Sequence, residues 1–122
     1  MVETKTEKLN KILEELRKLG DVEGSMIVSR DGLKIANDAG KIDADTFAAM
    51  TAAMQGAAET ASSELKQGGV EQTIIETERG KIVSTGAGEK AILVIIASKK
   101  INLGLALLEM GKFSEKISNI LG

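Results

Sequence analysis

Seven consecutive apolar residues, Ala91-Ile92-Leu93-Val94-Ile95-Ile96-Ala97, constrain this chain more than any other stretch. The run is far too short to span a bilayer as a helix, which takes about 20 residues. It also lacks the apolar/polar alternation of a strand with one wet face. A strand of this composition is buried on both sides, so it belongs at the centre of a sheet with helices above and below.

The rest of the chain supplies the cover. Leu9, Ile12, Leu13, Leu16 and Leu19 recur at helical spacing and predict a helix from about Thr6 to Leu19, with Thr6 as its N-cap and Gly20 at its C-terminal end. A hairpin follows: Ser25 to Ser29 and Leu33 to Asn37 flank Arg30-Asp31-Gly32, and Asp-Gly between two strand-like runs is a strong hairpin signal. Beyond the loop from Asp38 to Ile42, Asp43 caps a long helix to about Gln67, closed by Gly68-Gly69. At about 1.5 Å per residue that helix is a rod of about 35 Å. A meander comes next, with strands at Thr73 to Thr77, Lys81 to Thr85 and Ala91 to Ala97. The last helix starts at Leu103, capped by Asn102, and reaches about Ile120, with an apolar stripe of Leu103, Leu107, Met110, Phe113, Ile117 and Leu121.

The order is therefore α-β-β-α-β-β-β-α, an α/β chain in the sense of an α+β sandwich. With the last strand central, the meander puts strand four beside it and strand three outside that. The first strand, more apolar than the second, takes the other flank. The predicted sheet is five-stranded and antiparallel, of order 2-1-5-4-3. Passing from strand two to strand three then means crossing about 19 Å of sheet at about 4.8 Å per strand, which the long middle helix can do. That leaves the other two helices on the opposite face.

Composition narrows the chemistry. A chain of 122 residues is expected to make one domain, residues 1–122. It holds neither Cys nor His, so thiolate chemistry is excluded and the commonest general base and metal ligand is missing. Phe47 and Phe113 are its only aromatic rings, so the core is aliphatic, and Met26, Met50, Met54 and Met110 are expected on its faces. With 16 basic and 18 acidic residues mixed along the chain, there is neither the basic stripe nor the stacking rings that nucleic acid requires. The charged start Met-Val-Glu-Thr-Lys-Thr-Glu-Lys is not a signal peptide, and a cytoplasmic location without membrane insertion is expected.

Individual motifs point the same way. Gly86-Ala87-Gly88-Glu89-Lys90 leads into a strand, whereas a phosphate loop must open a helix. Asp38, Asp43 and Asp45 lack the ligand spacing of a calcium loop and suit helix capping. Ser62, Ser63, Ser84 and Thr85 have no base to activate them. No catalytic residue, metal or cofactor is expected.

The middle helix is the anomaly. Phe47, Met50, Met54, Ala57, Ala58, Ala61 and Leu65 are predicted to cover the sheet. The opposite face, where Lys and Glu usually sit, reads Ala49, Ala52, Ala53, Gly56, Thr60 and Ser63, and no Lys occurs from Asp45 to Leu65. A glycine in mid-helix costs about 0.5–1 kcal/mol relative to Ala, which close approach of a second helix offsets. Both other helices are needed elsewhere, so the second helix is expected to be the same one in another copy, antiparallel across a two-fold axis. Strand three has neither Pro nor Lys from Thr73 to Thr77 to block edge pairing, so two copies can join into a ten-stranded sheet. The candidate dimer interface is thus Ala49, Ala52, Ala53, Gly56, Thr60 and Ser63 with Thr73, Ile75 and Thr77.

With this element order, the hairpin at Ser29-Arg30-Asp31-Gly32-Leu33, the Ala-rich middle helix and the stretch Asn102-Leu103-Gly104-Leu105, the chain resembles the Roadblock family. This is the dynein light-chain domain, which also occurs in prokaryotic GTPase regulators. The resemblance implies a profilin-like fold that dimerises through the middle helix and third strand. It further implies a non-catalytic homodimeric module that binds and regulates a small Ras-like GTPase, by activating or positioning it. The alternatives are a structural adaptor in a motor or signalling complex without effect on nucleotide turnover and, from another class, a small-molecule sensor. Arg30 and Arg79 both fall in turns, where an arginine donated in trans to a GTPase competes with a plain surface role.

Overall fold

In the computed structural model, which describes residues 2–122, the chain runs α1 (Lys5–Arg17), β1 (Val22–Ser29), β2 (Lys34–Asp38), α2 (Ala44–Glu64), β3 (Thr73–Glu76), β4 (Gly80–Ala87), β5 (Ala91–Ser98) and α3 (Leu103–Leu121). The strands form one antiparallel sheet of order β2-β1-β5-β4-β3, as the apolar run and the meander predict. β5 is central, and Ala91 through Ile95 are buried without interruption.

The two faces carry separate cores. Leu9, Ile12, Leu13 and Leu16 of α1 and Ala106, Met110, Phe113 and Ile117 of α3 pack on one face, against Ile27, Val83, Leu93 and Ile95. On the other face Phe47 and Ala48 of α2 meet Met26, Val28, Val94 and Ala39. Successive residues of β5 thus feed alternate cores, which is the period-two geometry of a strand. Each helix starts at a side-chain cap: Thr4 accepts from the N–H of Glu7, Asp43 from Thr46 and Asn102 from Leu105. Two caps are those the sequence predicts. For α1 the cap is Thr4 rather than Thr6, because Thr4 has the extended backbone a cap needs while Thr6 already lies within the helix. The hairpin turns through Gly32 at φ +88°, a left-handed conformation that glycine adopts without strain. Among the described residues no helix is long and apolar enough to cross a membrane.

Candidate protein-interaction surface

α2 sits on the sheet in a different orientation from the one its apolar residues suggest. Phe47, Ala48, Thr51 and Gln55 are its buried residues. Met50, predicted to cover the sheet, is 60% exposed, and Leu65 is 70% exposed; Ala57 and Ala61 are also exposed. The helix is rotated from the predicted orientation by a little under one residue's turn, about 100°. Alanine on both flanks leaves the apolar pattern too weak to fix that angle. A polar network, buried at Gln55 and Ser84 and partly exposed at Arg30 and Glu59, fixes it instead.

Gln55 has no solvent exposure. Its Oε1 accepts from Ser84 Oγ of β4 at 2.7 Å and Thr73 Oγ1 of β3 at 3.5 Å, and its Nε2 donates to Glu59 Oε2 at 3.3 Å. The Glu59 carboxylate in turn accepts Arg30 Nη1 at 2.6 and 2.8 Å, while Arg30 Nη2 donates to the Gly88 carbonyl at 2.8 Å. One chain of bonds therefore ties α2 to the β1–β2 turn, the β4–β5 turn and both outer strands on the β3 side. The buried Gln55–Ser84 bond is worth about 1 kcal/mol and the partly exposed Arg30–Glu59 pair about 0–1 kcal/mol, and their direction sets a rotation that apolar contacts leave loose. Arg30 is consequently engaged within its own chain and does not project as a free side chain.

With Gln55 inward, the outward surface of α2 is apolar or small. Of the predicted interface residues, Ala49, Ala53, Gly56, Thr60 and Ser63 are exposed and Ala52 is half-buried, packed beside Gly32. A Cβ at Gly56 would meet nothing within 4 Å, so no contact inside the chain accounts for a glycine there. On β3, Thr73 is half-buried, Ile75 is 39% exposed and Thr77, just past the strand, is exposed. The structure brings Ala53 and Ile75 to the walls of one groove of about 580 Å³. Phe47, Met50, Met54, Ile42, Ile82 and Ile96 form most of the rest, with Asp43, Thr46 and Thr51 also in its lining.

Sequence reasoning missed Met50, Leu65 and the groove itself. It also missed which backbone groups the edge leaves open. The Thr77 N–H bonds to the Gly80 carbonyl, so by the antiparallel alternation the N–H groups of Ile75 and Thr73 face β4 as well, and those of Ile74 and Glu76 face outward. Further large apolar side chains are exposed at Leu33 in the hairpin and at Leu105 and Leu108 on α3.

Several of the titratable and hydroxyl groups singled out in the sequence have structural partners. Asp43 accepts from the hydroxyl and the N–H of Thr46, and these bonds hold its carboxyl below the ordinary carboxylate value. Asp45 pairs with Lys34 at 3.1 Å and Asp38 with Arg17. Thr85 and Ser114 share a buried hydrogen bond of 2.6 Å, and Ser84 serves Gln55. Among the described residues no three acidic, His or Cys side chains are grouped to hold a metal ion.

An apolar helix face thus lies beside an unpaired strand edge, on a sheet covered by helices on both sides. The chain belongs to the Roadblock/LC7 domain family, whose model matches residues 8–97. It is 44% identical over 110 residues to the uncharacterized protein MJ0714 of Methanocaldococcus jannaschii, covering 89% of this chain and 92% of that one. Myxococcus xanthus MglB superposes with a TM-score of 0.86 at 24% identity, covering 99% of this chain and 92% of its own. Acanthamoeba castellanii profilin IB superposes with a TM-score of 0.63 at 18% identity, covering 91% and 97%. At those identities the two structures speak to the fold, which is profilin-like.

Proposed function

We propose that this chain is a non-catalytic homodimeric module of the cytoplasm that binds a small Ras-like GTPase and regulates it, by activating or positioning it. The observation that carries the self-association is the outward face of α2, apolar and centred on a glycine, lying beside the open β3 edge. Its area supports the same conclusion. The protomer exposes 7305 Å², about 1,000 Å² more than the roughly 6,300 Å² expected of a compact monomer of its mass. A standard interface buries about 800 Å² per partner. The GTPase half of the proposal is supported by family membership and by the likeness to MglB.

Regulation of this kind does not require a donated arginine. Arg30 is held by Glu59 and Gly88, which leaves exposed Arg79 as the other turn arginine, and we propose that the module orders or places the GTPase's own switch loops. The test is to measure mass in solution, then mix the protein with small GTPases of its own cell and follow co-elution and GTP hydrolysis. Co-elution with an altered rate supports regulation. Co-elution at an unchanged rate makes it an adaptor, and no binding to any of those GTPases removes the GTPase partner from the proposal.

A further inference from the structure

Two features of α2 lack partners within the chain and lie at opposite ends of the same helix. Near its N-terminal end is the apolar groove walled by Phe47, Met50 and Met54, with Ile75, Ile82 and Ile96 of the sheet. At its C-terminal end Leu65, the C-cap, is 70% exposed. Between them runs the stretch Ala53 to Thr60, which holds Gly56, Ala57 and Ala58 and no side chain longer than a threonine on its outward face.

We propose that Leu65 of a second copy fills this groove, so that the α2 pair is locked at both ends by a reciprocal knob and hole. This rests on the homodimer proposed above and specifies its register. Two antiparallel helices approach most closely where side chains are smallest, which places the two-fold axis at the middle of the Ala53–Thr60 stretch, between Gly56 and Ala57. Leu65 lies about 13 Å beyond that point, and the Phe47–Met50 turn lies about the same distance before it, at about 1.5 Å per residue. Two-fold symmetry then brings each Leu65 over the other copy's groove.

Charge agrees with this register independently. α2 has acidic residues at its start, Asp43 and Asp45, and no basic residue in its last turn, but Lys66 follows directly. The antiparallel arrangement carries Lys66 over the partner's Asp43 and Asp45, where it adds a second cation beside the exposed Lys34–Asp45 pair and the Asp43 carboxylate that caps α2. A parallel arrangement would set the acidic starts side by side and leave both grooves open.

The test uses the chain's freedom from cysteine. Asp45→Cys with Lys66→Cys in one chain should give a covalent dimer with a short bismaleimide. Lys66→Cys alone should not, because the two Lys66 positions lie about 28 Å apart across the axis. In parallel, sedimentation equilibrium should show Leu65→Asp dissociating at least about 30-fold more readily than wild type, since two leucines lose burial per dimer. Met50→Lys, which alters the groove rather than the knob, should act in the same direction. A wild-type protein that is monomeric at micromolar concentration defeats the homodimer itself. A wild-type dimer with no cross-link in the double variant and an unchanged constant for Leu65→Asp leaves the dimer standing and overturns this register.

Discussion

Gln55 is a fully buried polar side chain on which the seat of α2 depends. Gln55→Ala removes the acceptor of the Ser84 hydroxyl, which is fully buried, and leaves a void where the amide was. An orphaned buried hydroxyl costs about 1–3 kcal/mol, and the cavity adds to it, so a loss of about 2–4 kcal/mol is expected. With about 2.1 cal/mol/K of unfolding entropy per residue, 122 residues give about 4 °C per kcal/mol, so Tm falls by about 8–16 °C. The measurement is urea unfolding of wild type, Gln55→Ala, Ser84→Ala and the double variant, all at one protein concentration so that any self-association term cancels. The two sites should couple by about 1–2 kcal/mol. Gln55→Leu with Ser84→Ala, which makes both partners apolar, should recover most of the loss. A single-variant cost under about 1 kcal/mol, or coupling within about 0.5 kcal/mol of zero, would refute the claim that directional bonds set the helix on the sheet.

Three further outcomes are expected. Gly56→Leu should yield a folded monomer by light scattering, since its Cβ meets nothing within the chain but overfills a helix contact; a persistent dimer would place the contact elsewhere. Ile74→Pro should weaken self-association while leaving the β3–β4 ladder intact, because the N–H it removes faces outward; loss of secondary structure by circular dichroism would contradict that register. Asp43 has a folded pKa lowered from its ordinary value of 3.8 by its bonds to Thr46, so the stability it contributes is present above that value and is lost as pH falls through the lower folded pKa. Asp43→Asn should therefore flatten the acid limb of the stability profile below about pH 4, and an unchanged limb would show that the bonds contribute nothing.

The sheet was legible because the Ala91–Ala97 run admits one place in it, the short β4–β5 turn then sets β4 on one side, and β1, more apolar than β2, takes the other. Helix positions were legible from leucine spacing and from caps at Asp43 and Asn102. The rotation of α2 was not. In sequence Gln55 resembles any solvent-facing glutamine, and what buries it are hydroxyls at Thr73 and Ser84, the latter 29 residues away. The Arg30–Glu59 pair spans the same separation. No periodicity within α2 carries that information, and an alanine-rich flank gives little apolar contrast to correct the error. The residues of the predicted interface are mostly exposed because the small residues occupy a wide arc, whereas Met50 and Leu65, expected in the core, lie at the surface. The groove required the sheet and the helix together.

The rotation also decides how stability and association are divided. Had Met50 and Leu65 faced the sheet, apolar contact would hold α2 down and the outward face would offer only small side chains, a smooth surface with little to specify register. Turning Gln55 inward gives the protomer a directional, polar attachment and frees two large apolar side chains for the outside. In the proposed dimer the two functions rest on different residues of one helix: Gln55 and Glu59 for its seat, Leu65, Met50 and Gly56 for its partner. Variants of the first group should lower Tm of the monomer, and variants of the second should change the dimer constant with little effect on monomer unfolding. A substitution at Leu65 that destabilises an isolated protomer as much as one at Gln55 would show that this division does not exist.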